Sequence, residues 1–275
     1  KGFANNEMRR TDAAKADFTK ALELDPQNET VIKELTTIYF NYRQYQQALD
    51  MAQKCKTCID KDRIIALCYF NMEDFGKAEK LLLALVNKNP EDAELTYTLA
   101  SNYLAMGFEP KAITWYEKAV LVDASKSKWF FELGLLYSNT NNYKKAVIAY
   151  NKAAELGFIK GNDFNENLGF AYIYSSDFDN GARLLDDLIS RRPGDKELIR
   201  DVATAFYDSK NYDKSLDYCQ KLLEMDMKDG KALYQAGLCF QKKGMTEKGM
   251  QMCDKAIEMD PSLASLRSKK SLPGM

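Results

Sequence analysis

Leu133-Gly134-Leu135-Leu136-Tyr137, followed nine residues beyond the tyrosine by Ala146-Val147-Ile148-Ala149-Tyr150-Asn151-Lys152-Ala153, is the stretch that decides the fold. Ala146, Tyr150 and Ala153 follow the i, i+4, i+7 spacing of one apolar helical stripe. Leu133 and Gly134, four and three residues before Tyr137, give a preceding helix an apolar face with a small residue at which a second helix can cross closely.

The arrangement recurs. Tyr or Phe stands at Tyr39, Tyr69, Tyr103, Tyr137, Tyr172, Phe206 and Phe240, at separations of 30, 34, 34, 35, 34 and 34. An aliphatic or small pair precedes each: Leu35-Thr36, Ile65-Ala66, Leu99-Ala100, Leu133-Gly134, Leu168-Gly169, Val202-Ala203 and Ala236-Gly237. Nine residues after each aromatic comes another small side chain, at Ala48, Ala78, Ala112, Ala146, Gly181, Ser215 and Gly249, opening a second helix. Pro26, Pro90, Pro193 and Pro261 close several units, because a residue with fixed φ and no N–H ends one helix and turns the chain into the next.

Composition agrees with a helical array and narrows its chemistry. The chain of 275 residues is eight times 34 with three left over, and its 45% hydrophobic content is that of a folded protein. Lys+Arg 39 against Asp+Glu 40 leaves no phosphate-neutralising surplus, which speaks against a nucleic-acid partner. With no histidine, Ser-His and Cys-His pairs and His-ligated metals are excluded. No run approaches the roughly 18 apolar residues of a membrane span. Gly-rich phosphate loops and H-E-x-x-H are missing too, so no catalytic, cofactor-binding or metal residue is assigned.

The pattern L-G-x-x-Y, then A-x-x-x-F-x-x-A, then P, at a period of 34, resembles the tetratricopeptide repeat over essentially the whole chain. The register gives a partial unit at 1–28, units at 29–58, 59–92, 93–126, 127–161, 162–195, 196–229 and 230–263, and a capping helix or tail at 264–275. Unit 29–58 is four residues short around Cys55 and Cys58, and unit 127–161 gains one near Gly157. The resemblance implies an all-α, right-handed superhelical solenoid of about eight helix-turn-helix repeats forming one domain, since each pair is too small to bury its apolar face alone. The chain begins in mid-unit, so an upstream signal, anchor or further domain is left open.

Cys55-x-x-Cys58, with Cys68 ten residues on, has the makings of a redox pair or a three-thiolate metal site, but Cys55 falls at a small-residue position and no histidine is available as a fourth ligand, so core packing is the favoured role. Cys219 and Cys253 stand where the family places an aromatic and read as packing residues; Cys239 has no evident role. Thiols placed as small hydrophobes lean toward a reducing, cytoplasmic setting. Trp115 and Trp129 are expected to pack between units, and Asp186-Asp187 to lie on a solvated helix face.

The resemblance also places the working surface on the first helices, whose residues six and two before the recurring aromatic and one or two after it face inward. Those positions hold Lys33, Thr37, Phe40 and Asn41; Arg63, Leu67, Phe70 and Asn71; Tyr97, Ser101 and Leu104. They continue with Phe131, Leu135, Ser138 and Asn139; Glu166, Phe170, Ile173 and Tyr174; Arg200, Thr204, Tyr207 and Asp208; Tyr234, Leu238, Gln241 and Lys242. An aromatic groove of this kind suits a peptide or helix. Two other roles compete: packing of the aromatics against one another across neighbouring first helices, and left-handed helix caps at Asn41, Asn71 and Asn139. A chaperone-type carboxylate clamp is not matched, because Thr37 follows Lys33 and Glu132 follows Lys128. The expected function is a non-enzymatic scaffold for a protein or peptide partner; the alternative is a structural array that forms a homo-oligomer or serves as the regulatory part of a larger protein.

Overall fold

A computed structural model describes residues 1–268. Sixteen of the helices formed by its described residues make eight successive pairs. They run α1 (Gly2–Glu7) and α2 (Thr11–Leu24), α3 (Glu29–Asn41) and α4 (Tyr45–Lys54), α5 (Lys61–Asn71) and α6 (Phe75–Lys88), α7 (Ala93–Ala105) and α8 (Glu109–Val122). The series continues with α9 (Ser127–Asn139) and α10 (Tyr143–Glu155), α11 (Asn162–Tyr174) and α12 (Phe178–Arg191), α13 (Lys196–Asp208) and α14 (Tyr212–Met225), α15 (Gly230–Lys242) and α16 (Thr246–Met259). A 3-10 turn at Pro261–Leu263 and a short α17 (Ala264–Ser268) follow; the rest of the expected tail, 269–275, lies outside the described residues. The expected partial unit at 1–28 is a helix pair whose first helix is short.

The chain divides into two compact units, Lys1–Trp129 and Phe130–Met275. In the first, each second helix also packs on the next first helix, α2 on α3, α4 on α5 and α6 on α7. In the second, α10 packs on α11, α12 on α13 and α14 on α15, and first helix also meets first helix, α11 on α13 and α13 on α15.

The recurring aromatic marks where each first helix stops. In the pair α3/α4, the Gln44 N–H donates to the Tyr39 carbonyl at 2.8 Å and the Arg43 N–H to the Phe40 carbonyl at 3.0 Å, the two bonds of a Schellman ending. The residue four beyond the aromatic takes a left-handed φ in every unit: Arg43, Glu73, Gly107, Asn141, Ser176, Lys210 and Gly244, with Arg9 equivalent in the first pair. This corrects the cap expectation. Asn41, Asn71 and Asn139 are the last helical residues, and the left-handed positions come two residues later.

Close crossing explains the small residues. A Cβ built on Gly134 falls 2.6 Å from two ring atoms of Tyr150, one on Gly169 falls 2.7 Å from Leu185, and one on Gly237 falls 2.7 Å from the Cys253 thiol. Cys219 and Cys253 are buried, consistent with packing, and so is Cys239, whose thiol donates to Ser215 Oγ at 3.3 Å. Trp129 is buried, whereas Trp115 is half-buried under the Lys118 ammonium, 3.8 Å from its ring. Asp186 and Asp187 are exposed, as expected, and paired with Lys221 and Arg191.

Candidate functional site

The first helices supply the candidate surface, and the position six before each aromatic behaves differently from the others. Arg63 on α5 pairs with Asp92, whose carboxylate also accepts the Leu95 N–H at 3.0 Å as the N-cap of α7. Arg200 on α13 forks onto Asp229 at 3.3 and 3.2 Å, and Asp229 in turn caps α15 through the Ala232 N–H at 3.0 Å. Glu166 accepts from Arg192 at 2.9 Å, and Arg192 also reaches Asp195, the N-cap of α13. Tyr97 stacks on Trp129 with ring centres 4.7 Å apart and meets Tyr116 edge-on. Phe131 stacks on Phe158 at 4.5 Å and on Phe164 at 5.8 Å, against Tyr150.

These side chains were expected to face a ligand. The structure engages them in joining one repeat to the start of the next: a charged or aromatic side chain there reaches the loop where the following first helix begins, a region rich in unpaired N–H groups and in the acids that cap them. Tyr234 departs further, being buried with Cys253, Ala256 and Leu263, and Ile173 is wholly buried in the core of the second unit. Lys33 alone of these positions is exposed in the first unit.

The positions after the aromatic stay nearer the surface. Phe40, Phe70 and Tyr207 are half-buried, each edge-on to the first aromatic of its own second helix, Tyr45, Phe75 and Tyr212, at 5.8, 6.1 and 5.5 Å. Aromatic packing therefore occurs in both ways, across neighbouring first helices at Tyr97–Trp129 and Phe131–Phe164, as the competing role expected, and across the turn within a pair at these three positions. Tyr174 stacks on Tyr143 at 4.7 Å, and Phe170 leans on the core of the second unit. Asn41, Asn71 and Asn139 are exposed, Asn71 donating back to the Leu67 carbonyl at 2.7 Å.

Charge is uneven on the second unit's face. Burial, then the nearby carboxylates of Glu197 and Glu166, raises the Asp201 carboxyl above its ordinary value, and burial followed by Asp208, Tyr143 and Asp201 raises the Tyr174 hydroxyl. The thiols are poor nucleophiles for the same reason: burial pushes Cys68 up to about 11 and Cys219 to about 12.

Cys55 and Cys58 form a disulfide; Cys55 is wholly buried, in keeping with its small-residue position, whereas Cys58 is half-exposed, and the bond between them goes beyond the packing role favoured for the pair. The three-thiolate site is overturned by that bond: two of its sulfurs are bonded to each other, and Cys68 is a buried thiol. No group of three or more Cys, Asp or Glu suited to a metal occurs among the described residues, and no described helix is long and apolar enough to cross a membrane. The repeat-joining ion pairs went unnoticed, although a signal existed: Arg63 and Arg200 each stand 29 residues before an aspartate that opens the next first helix.

Comparison with known proteins agrees with this architecture. Tetratricopeptide repeat profiles match residues 1–28, 130–156 and 230–263, and a second such profile matches 167–231. The curated relatives are distant. Protein O-mannosyl-transferase TMTC1 of Homo sapiens is 28% identical over 48% of this chain and 15% of its own length, and BBSome complex member BBS4 of Bos taurus is 22% identical over 80% and 43%. The chain thus spans less than half the length of these relatives. Among solved structures, the C-terminal part of a TPR repeat-containing protein from Cytophaga hutchinsonii superimposes with a TM-score of 0.60 at 17% identity, covering 85% of this chain and 97% of that one. A tetratricopeptide repeat protein from Parabacteroides merdae gives 0.53 at 15% identity, covering 85% and 94%. With the profiles covering more than half of its residues and eight helix pairs at the matching period, the chain belongs to the tetratricopeptide repeat family.

Proposed function

We propose that this chain is a non-enzymatic scaffold that binds protein through the first-helix surface of each of its two units. Tetratricopeptide repeats are in general protein-interaction modules. The observation that carries the specific surface is the division of labour along each first helix. The positions six before the aromatic join repeats, while those just after it, Phe40, Asn41, Phe70, Asn71, Asn139, Tyr174 and Tyr207, keep side-chain surface at the solvent boundary. Half-buried aromatics held by a neighbouring ring give contact area with little rotamer entropy to lose, which favours capture of a peptide or helix. BBS4 is by its name a member of a complex, in keeping with an assembly role. The buried, high-pKa thiols and the lack of histidine supply no activated nucleophile, in line with a binding role.

Photo-crosslinking tests the surface. A benzophenone side chain placed at Asn41, Asn71 or Tyr207 should capture the partner, whereas one at Lys20 or Glu224, exposed on second helices, should not. Capture confined to the second-helix positions would refute the assignment.

A further inference from the structure

The short repeat carries an arrangement that partner binding does not use. Helix α4 has 10 residues where other second helices have 13 or 14, and the segment Cys55-Lys56-Thr57-Cys58 occupies the place of its missing last turn. The disulfide closes this segment into a loop whose donors converge on a single atom. Glu29 Oε2, on the first residue of α3, accepts the Lys56 N–H at 2.9 Å, the Thr57 N–H at 3.1 Å and the Thr57 hydroxyl at 3.0 Å. Lys56 Nζ also donates to Gln27 Oε1 at 3.0 Å. The loop thereby clasps the open end of the α3/α4 pair.

The two sulfurs are not equivalent. Cys58 is half-exposed and open to attack, whereas Cys55 is wholly buried, caps the C-terminus of α4 and has its sulfur 3.3 Å from the same Glu29 oxygen. A thiolate leaving from Cys55 would be desolvated, would face the negative end of a helix and would lie against a carboxylate, three effects that each disfavour it. Once protonated, however, the Cys55 thiol has Glu29 Oε2 within reach as an acceptor.

From this geometry we infer that Cys55–Cys58 is a thiol–disulfide exchange site for a dithiol reductant, entered at Cys58 and held slow by the Glu29 carboxylate. In the first step a reductant thiolate attacks Cys58 Sγ; a new S–S bond forms, the Cys55–Cys58 bond breaks, and the Cys55 sulfur leaves with the electron pair and takes a proton from water. In the second step the reductant's other thiolate attacks its own sulfur of the mixed disulfide, releasing Cys58 as thiolate. The dithiol is oxidised to a cyclic disulfide and the protein gains two electrons. Glu29 is a positioning residue: it bonds the loop shut and opposes charge on the leaving sulfur.

Reduction of the intact chain by dithiothreitol, followed by alkylation and intact mass, tests this. Glu29→Gln keeps an acceptor oxygen for the Lys56 and Thr57 N–H groups but removes the charge, so it should speed native-state reduction about fivefold or more with little change in melting temperature. Because the carboxylate touches the buried sulfur, salt screens its effect little, so the difference between the two proteins should persist at high salt, where long-range repulsion of the reductant thiolate is screened. Thr57→Val, which deletes one hydrogen bond and retains the carboxylate, serves if Glu29→Gln folds poorly, with an expected acceleration of about twofold. Six alkylatable cysteines after treatment with oxidised dithiothreitol would overturn the proposal. So would equal reduction rates in wild type and Glu29→Gln, or a difference that high salt abolishes.

Discussion

Replacing Gly134 by alanine sets two well-defined effects against each other. Alanine in a helix interior is favoured over glycine by about 1 kcal/mol, so on propensity alone the variant should be more stable. At this position the added methyl would stand 2.6 Å from Cδ1 and Cε1 of Tyr150, about 1 Å inside ordinary carbon contact. The ring has little room to yield. It is fully buried, tilted against Phe131 at 5.8 Å and edge-on to Phe164 at 5.9 Å, and its hydroxyl is 3.2 Å from that of Ser138. Overpacking of this kind costs about 1–3 kcal/mol, so after the propensity gain the net effect should be a loss of up to about 2 kcal/mol. Urea unfolding followed by circular dichroism measures the sum, and amide exchange should place the lost protection in α9 and α10, where single-repeat effects in a quasi-linear array are concentrated. Gly76→Ala is the control: nothing lies within 4 Å of its Cβ, so it should be neutral or slightly stabilising. Adding Tyr150→Leu to Gly134→Ala should recover part of the loss relative to Tyr150→Leu alone. Equal stabilisation by Gly134→Ala and Gly76→Ala would refute the close-crossing account.

Arg200→Ala leaves the Asp229 carboxylate, whose side chain is only 8% exposed, without its forked partner and should cost about 1–3 kcal/mol, whereas Lys196→Ala, at the half-exposed pair with Asp226, should cost under about 1 kcal/mol in the same denaturation assay. Lys210→Gly relieves a left-handed φ of 63° and should stabilise by about 0.5–1 kcal/mol; a destabilised variant would mean that the lysine side chain contributes more than its backbone loses. The buried thiols Cys68 and Cys219 titrate higher folded than unfolded, so the stability they support is present below the ordinary thiol value near 9 and declines as pH rises toward about 11 and 12; alkaline melts should show this loss, reduced in Cys219→Ala. Glu29 has the opposite sign: with its carboxyl held low, chiefly by the Thr57 N–H, its contribution is present above the ordinary value of 4.5 and fades as pH falls further, a trend that Glu29→Gln should flatten in acid melts.

The sequence by itself determined the helix pairs and the family. A 34-residue period sets where each aromatic, small residue and turn recurs, and these are local requirements: one apolar stripe per helix and a small side chain at each crossing; the left-handed residue four beyond each aromatic came from the structure. The resemblance to the repeat family also pointed to first-helix positions such as Lys33 and Asn41, which are exposed. What only the tertiary structure decided was the destination of long side chains at the repeat joints. Arg63, Tyr97, Phe131 and Arg200 occupy the same phase as Lys33, yet they end on Asp92, Trp129, Phe158 and Asp229. Helical phase fixes the direction in which a side chain leaves its helix; which partner it meets depends on the loop and N-cap of the following repeat, and that distance is set by packing. The same holds for Tyr234, which the helices of its own pair and Leu263 enclose, and for Cys55 and Cys58, whose bond requires the early end of α4 and the approach of Glu29 from α3.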